Sequence, residues 1–402
     1  MFGVLISAYA VSPGRGSEPG MGWNFVRVID GLGHSNILIT ATKWKDSIEE
    51  KKHLIPNTRV VYIRRFRFRL LERILPQSYY LTYVLWQFQV FLAVLLRDLH
   101  KKTNIIHHLN MAGYREPGFL WLFNKPFVIG PLGGLDQFPT GSLGLVSQKI
   151  RFQAKVKNIL NLVQRLFHIR IRLIALKANR VFIFGSDSNR LIANKIWGLA
   201  NAYKIQEVFS HKSVEFGALS KSKKFKICWI GLHESRKNLV MLLQALENLT
   251  FDYSLVVIGD GPMLEYHRQI ADNKLDYSKV RFTGKISREA TLKELRESNV
   301  FVQTSLYDLT STVVAEAISE GVPVIACNHM GFSDIVDDSV GSLIEIGSFD
   351  DMCRELGRIL THYFENKDEL NQRAKNCLKR SAELSHETKG KQLLEIYNSL
   401  LT

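Results

Sequence analysis

An alternation that runs twice along this chain constrains its fold more than any other feature. Short runs rich in Val, Ile and Phe are each followed by a longer stretch whose apolar residues recur at helical spacing. In the first half the candidate strands are 2–8, 36–40, 59–63, 104–108, 126–129 and 180–184. In the second they are 225–230, 254–258, 279–283, 300–303 and 322–326, with helical segments at 237–249, 262–271, 287–297 and 312–320. Strands separated by helices pair in parallel, and a parallel sheet is covered on both faces. Two successive sets therefore specify two α/β, Rossmann-like domains. The change falls at 210–224, which is polar and loop-like. The expected division is a first domain over 1–209, a second over 210–385, and a last segment, 386–402, whose helix is free to pack back on the first.

Composition narrows the class. The chain has 402 residues, 46% hydrophobic and 23% charged, enough to bury two cores without staples. The four cysteines, Cys228, Cys327, Cys353 and Cys377, form no C-x-x-C pair, so they read as buried thiols rather than a metal or disulfide framework. The apolar N-terminus has no basic stretch before it and reads as a first strand, not a signal peptide. Residues 74–96 carry no charge, but Pro76, Gln77, Ser78, Thr82, Gln87 and Gln89 interrupt them. A helix buried in a domain or lying against a bilayer fits that stretch better than a membrane span.

Charge is unevenly placed. Lys plus Arg number 53 against 38 acids, a net charge of +15, which favours anionic partners. Residues 137–186 hold no acid, while Lys149, Arg151, Lys155, Lys157, Arg165, Arg170, Arg172, Lys177 and Arg180 fall among them. Val156, Ile159, Val163, Leu166 and Phe167 interleave at helical spacing. Arg64, Arg65, Arg67 and Arg69 form a second basic cluster. A solvated helix face would account for the pattern. So would a surface seated on anionic lipid, where each Lys or Arg adds about 1 kcal/mol. Nucleic-acid signatures are absent, so no nucleic-acid partner is expected.

Three loops carry chemistry. The first, 12–24, places Gly14, Gly16, Gly20 and Gly22 between a strand and a helix, where backbone approaches a ligand closely. The second, 228–239, puts Arg236 and Lys237 at a helix start, where cations are disfavoured unless an anion lies close by. The Gly-Asp-Gly-Pro turn, Gly259 to Pro262, has the same strand–turn–helix form. The third and strongest, 303–326, carries Asp308, then Thr310 or Ser311 as a helix cap, the free amides of Thr312 and Val313, and Glu316 one turn further. Two carboxylates beside an exposed helix N-terminus suit a nucleotide-sugar: the amides take phosphate and the carboxylates accept hydroxyls. Asp308 and Glu316 as plain surface acids would also satisfy the pattern.

With these residues the chain resembles the retaining glycosyltransferases of family 4, in a bacterial sub-branch. The resemblance implies the GT-B fold, two Rossmann-like domains with parallel sheets facing a central cleft. The first would be the acceptor-binding domain and the second the nucleotide-sugar-binding domain. The family's E-x7-E motif falls on Asp308 and Glu316. By resemblance Glu316 holds the donor ribose, Asp308 contacts the transferred sugar, and Lys237 contacts the diphosphate. Gly16, Gly231, Arg236, Gly259, Gly261, Ile286 and Thr310 through Val313 (Thr310, Ser311, Thr312, Val313) complete the donor side. His108, Arg115 and Glu116 are candidates for the acceptor side. Two departures stand out: Asp308 replaces the family's usual Glu, and Leu232 replaces a frequent Arg.

The resemblance implies a hexosyltransferase that moves a sugar from a nucleotide-diphosphate donor to a saccharide or polyprenyl-linked saccharide. The setting would be bacterial capsule, exopolysaccharide or O-antigen synthesis. It implies no cofactor and no metal, in keeping with the missing D-x-D motif. It also implies a cytoplasmic enzyme, peripheral on the inner face of the plasma membrane. A non-catalytic GT-B scaffold, or a nucleotide-sugar epimerase or hydrolase of the same fold, are the alternatives.

Overall fold

The computed structural model describes residues 2–33, 35–65, 78–111, 113–143, 148–210, 224–308 and 311–402. Arg67, Arg69, Pro76, Gln77, Thr310 and most of the 210–224 break lie outside them. The chain divides into two units. One comprises Met1–Asp136, Val163–Phe209 and His386–Thr402; the other comprises Gln137–Leu162 and Ser210–Ser385.

The first unit is built on seven parallel strands: β1 (Val4–Ala8), β2 (Asn36–Ala41), β3 (Thr58–Ile63), β4 (Ile105–Asn110), β5 (Phe127–Leu132), β6 (Arg180–Phe184) and β7 (Ala202–Lys204). Their spatial order is β3-β2-β1-β4-β5-β6-β7. Strand β1 pairs outward both ways, Leu5 with Ile37 and Leu5 with Ile106. The winding direction reverses between β1 and β4, and the carboxyl ends of strands at such a switch point form a ligand crevice. Every residue of β1, β2, β5 and β6 is buried, which is why these strands read as unbroken apolar runs.

The second unit holds six parallel strands: β8 (Phe225–Ile230), β9 (Tyr253–Ile258), β10 (Val280–Gly284), β11 (Val300–Gln303), β12 (Val324–Cys327) and β13 (Gly341–Ile344). The order is β10-β9-β8-β11-β12-β13, with the switch between β8 and β11, where Phe301 pairs with Cys228. Both sheets are doubly wound, as the alternation requires.

Several elements differ from the sequence expectation. Strands β7 and β13 were not legible, because each is short and only partly buried. The helix expected over 237–249 runs over Leu239–Leu246 instead. Asn238 sits in the left-handed region (φ 49°, ψ 40°) and breaks it, leaving Ser235–Lys237 as a single 3-10 turn. The helix Ser78–Leu96 buries Tyr83, Trp86, Val90 and Val94 at intervals of three and four residues, and exposes Tyr80, Leu81, Phe88 and Leu95. Among the described residues no helix is long and apolar enough to cross a membrane. All four cysteines are free and buried. Burial pushes the thiols of Cys228, Cys327 and Cys353 up to about 12, so they are unreactive at neutral pH.

The last helix, His386–Leu401, belongs to the first unit. Leu393, Ile396 and Tyr397 join a core with Phe25 and Ile29. Tyr397 Oη lies 2.6 Å from His107 Nδ1. Lys389 is buried, donates to the Gln206 carbonyl at 2.5 Å and lies 4.7 Å from the Phe209 ring. Burial lowers its pKa to about 7, against the pull of Glu207. Between pH 7 and the ordinary lysine value the unfolded chain therefore holds a proton that the folded chain has lost, and stability rises with pH. Lys389→Met should flatten that rise in melting temperature between about pH 7 and 9.5. An unchanged slope in the variant would show that Lys389 is not the group responsible.

Candidate functional site

The site in the second unit is assembled by the turns that leave β8, β9 and β11. From β8, Trp229 enters the core and donates from Nε1 to Thr304 Oγ1 at 3.0 Å. Thr304, just past β11, donates in turn to the Lys237 carbonyl at 2.7 Å. The Leu306 amide donates to the Arg236 carbonyl at 2.8 Å. These bonds fix the backbone of Arg236 and Lys237 against the β11 loop, whatever their side chains do.

The side chains then converge on Asp308. Arg236 Nη1 donates to Asp308 Oδ1 at 2.6 Å and to the Tyr307 carbonyl at 3.2 Å, and Lys237 Nζ bonds Asp308 Oδ2. Arg236 Nε also bonds Glu234 at 2.7 Å. Lys237 and Asp308 keep only 11% and 15% of their side-chain surface exposed, so water screens this pair weakly. The sequence called for an anion beside the two cations, and Asp308 stands in that place.

Ser311 is the N-cap of the helix Thr312–Ser319 but makes no side-chain cap. Its hydroxyl instead accepts from Gln303 Nε2 at 2.9 Å. Among the described residues the amides of Thr312 and Val313 thus have no intrahelical or side-chain partner, as the first turn of a helix requires. Glu316, one turn in, is largely buried and accepts from Arg288 Nε and Nη2, each at 3.1 Å. Burial raises its pKa, and Arg288 opposes that.

The neighbouring turn relies on glycine. Gly259 has φ +135°, and a Cβ there would fall 1.9 Å from the Gly231 carbonyl oxygen. Two turns therefore meet backbone to backbone beside the cations. His233 beside them is fully buried, its Nδ1 lying 2.8 Å from His267 Nδ1, and its Nε2 has no partner. Burial holds both imidazoles below their usual pKa, His267 at about 4, so the pair is neutral. Leu232 points outward and is half exposed. Ile286 lies half-buried past β10.

Residues 137–162 also reach this loop. Asn158 brackets Phe138, accepting from its amide and donating to its carbonyl, both at 2.8 Å. Phe138 and Lys157 then lie 5.7 Å and 5.4 Å from the Tyr307 ring, next to Asp308. Sequence reasoning missed Tyr307, Arg288, His267 and the Trp229–Thr304 brace. All are long-range partners with no local signature.

The remaining candidates lie in the first unit. Gly16 is the N-cap of the helix Ser17–Leu32. His108, at the end of β4, is buried and neutral, held at about 3 by burial and by His107. The Glu116 backbone opposes that lowering. Arg115 and Glu116 cap no α-helix. Arg115 Nε donates to Gln164 at 2.6 Å, and Glu116 is buried in an ion pair with Arg170 at 2.8 Å. Among the described residues no cluster of three or more His, Cys, Asp or Glu could hold a metal.

Two doubly wound units of this kind define the GT-B fold of glycosyltransferases, and solved glycosyltransferase structures match it over essentially the whole chain. The structure of HepE from Anabaena in complex with UDP and glucose matches with a TM-score of 0.64 at 16% identity, covering 99% of this chain and 100% of that one. Residues 212–377, less than half of the chain, match the family model described as "Glycosyl transferases group 1". The alpha-monoglucosyldiacylglycerol synthase of Streptococcus pneumoniae (strain ATCC BAA-255 / R6) is 26% identical over 143 residues, 36% of this chain and 31% of that protein. Protein CapJ of Staphylococcus aureus is 26% identical over 145 residues, 35% of each chain. The chain thus matches only about a third of the length of these curated relatives.

Gly259→Ala should cost about 1–3 kcal/mol from backbone strain alone, with more from the clash at Gly231. The melting temperature should fall by several degrees. A variant as stable as the parent would mean that the two turns do not need their close approach.

Proposed function

We propose that the protein is a retaining glycosyltransferase of family 4. It would move a sugar from a nucleotide-diphosphate donor to a saccharide or lipid-linked saccharide. The observation that carries this reading is the grouping of Lys237, Arg236, Asp308 and Glu316 beside the open N-terminus of the helix Thr312–Ser319, at the switch point of the second sheet. The named ligands of HepE, UDP and glucose, support a nucleotide-sugar donor. The glycolipid in the S. pneumoniae enzyme's name supports a lipid acceptor.

In this reading the bond between the anomeric carbon and the diphosphate breaks, and charge grows on the leaving phosphate oxygens. The Thr312 and Val313 amides, with Lys237 and Arg236, stabilise that charge from fixed positions. These groups supply the positive charge, so the step assigns no role to a metal. The acceptor hydroxyl gives its proton to the departing oxygen and bonds the carbon on the same face, which retains configuration. Glu316 accepts the ribose hydroxyls. Asp308 is charge-balanced by the cations that an incoming diphosphate also needs, and the exchange turns its carboxylate toward the sugar. Gly231, Gly259, Gly261, Ile286 and residues 311–313 line the donor. His108, Arg115 and Glu116 serve the acceptor side, Glu116 and His108 by shaping it from within.

The same reading seats the protein on an anionic membrane face. The helix Gln148–Leu166 and the turn after it expose Phe152, Ile159, Leu160 and Phe167 among Lys149, Lys155, Arg165 and Arg172. Apolar side chains enter the headgroup layer while the cations meet lipid phosphates.

Titration with UDP and UDP-sugars tests the donor assignment. Glu316→Gln should weaken donor binding about tenfold to hundredfold, the worth of hydrogen bonds to a charged group. Asp308→Asn should instead bind UDP more tightly and turn over more slowly. Equal UDP affinity in both variants and the parent would sink the assignment. Co-sedimentation with anionic liposomes should fall as salt rises, and binding indifferent to salt or to lipid charge would remove the membrane argument.

A further inference from the structure

At the carboxyl ends of β1, β2 and β3, in the first unit, three cations close on one pair of aromatic rings. Lys43 Nζ lies 5.0 Å from the Tyr9 ring and 4.4 Å from the Trp44 ring. Arg15 Cζ lies 5.6 Å from the Trp44 ring, and Arg65 Nη1 donates to Tyr9 Oη at 3.1 Å. The platform beneath them is fixed. Tyr9 is buried, packed edge-on against Tyr83 at 5.2 Å and Trp86 at 4.9 Å. Its carbonyl accepts from Trp44 Nε1 at 3.0 Å and Thr40 Oγ1 at 3.4 Å.

Arg15 is held in place by a close backbone approach. A Cβ at Gly20 would fall 2.0 Å from the Arg15 carbonyl oxygen, so only glycine lets this loop fold onto the first turn of its own helix. That helix, Ser17–Leu32, begins beside Arg15 with Gly16 as its N-cap and no side-chain cap. Its dipole adds to the positive end.

Among the described residues the charges acting on Lys43 have one sign: partial withdrawal from water, then Arg65 and Arg15, hold its pKa below the ordinary lysine value. Among the described residues, Glu49 accepts from Tyr62 Oη at 2.6 Å. Cations gathered on a rigid aromatic platform repel one another, and an anion between them relieves that repulsion. The planar guanidinium groups suit the paired oxygens of a phosphate.

We propose that Arg15, Lys43 and Arg65 form a phosphate subsite for the acceptor in the first unit, separate from the donor residues of the second. The assignment of that phosphate to the acceptor rests on the transferase reading above. Trp44 and Tyr9 offer the adjoining apolar surface to the group that the phosphate carries, a lipid chain or a sugar ring.

Calorimetric titration of the full chain with farnesyl monophosphate, glucose 1-phosphate, farnesol and UDP tests the subsite. A phosphate ester should bind and farnesol should not. The double variant Arg15→Gln with Lys43→Met should lose about tenfold to hundredfold in affinity for that ester, keep its UDP affinity, and melt at the parent temperature. Arg15→Lys with Lys43→Arg, which preserves the charges, should recover most of the binding. Preference for farnesyl monophosphate assigns the phosphate to a lipid carrier, and preference for glucose 1-phosphate assigns it to a sugar phosphate. Either result supports the subsite. Failure of both esters to bind the parent overturns it. So does undiminished ester binding in the double variant, or an equal loss of UDP affinity, which would give these cations to the donor. A parent that ignores UDP but binds an ester through Arg15 and Lys43 would keep the anion subsite and refute the transferase reading.

Discussion

The Asp308 carboxylate, held between Arg236 and Lys237, ties together the two loops on which the second unit's site depends. Surface ion pairs contribute little, but this one is mostly withdrawn from water and sits on a backbone already braced through Trp229 and Thr304. The neutral brace positions the loops, and the charges only have to find each other across a fixed gap. That division of labour matters for function. Breaking the ion pair in favour of an incoming anion need not unfold the turn, because the brace does not pass through the carboxylate. The Arg288–Glu316 pair repeats the arrangement one turn into the helix, where Glu316 is about as buried as Asp308. Both acids of the motif are therefore aimed by an arginine or lysine from another part of the chain.

Much of the fold was legible because parallel strands are buried on both faces. Val-Leu-Ile-Ser-Ala in β1 and Arg-Val-Phe-Ile-Phe in β6 have no solvent face to mark with polar residues. The same physics hid β7, Ala-Tyr-Lys, an edge strand with little burial to encode. The ends of helices were harder. Nothing local in Lys237-Asn238-Leu239 announces that Asn238 adopts a left-handed conformation and delays the helix by two residues. For the candidate site, the helix N-terminus and the need for an anion near Arg236 and Lys237 could be read from local rules. The identity of that anion could not, since Asp308 lies 71 residues from Lys237 along the chain. His233 and His267 meet across 34 residues, and each alone resembles any core histidine.

The placement of residues 137–162 follows from contacts rather than from chain order. Phe138, Asn158 and Lys157 attach to the second unit at Tyr307, while the chain on either side belongs to the first. A composition break marks where a linker is polar. It does not mark where an excursion leaves one core and joins another, because the excursion carries its own apolar anchors. Here the anchor ring is the residue next to Asp308, so an element from the first half of the sequence buttresses the loop that carries the second unit's charge pair.

The two sheets use one topological device with opposite electrostatics. Each has its winding reversal near the centre, β1 against β4 and β8 against β11, and each presents loops at the carboxyl ends of those strands. In the second unit the loop cations are answered internally by Asp308 and Glu234. In the first, Lys43 lies beside Arg15 and Arg65 over an aromatic floor, and partial burial first, then those two cations, lower its pKa. A balanced set can exchange one anion for another without a large change in field. A set of like charges stores a preference for an anion before one arrives. The chain's net charge of +15 is thus not a uniform coat, and at the mouth of the first sheet it is concentrated on a rigid platform that fits a phosphate.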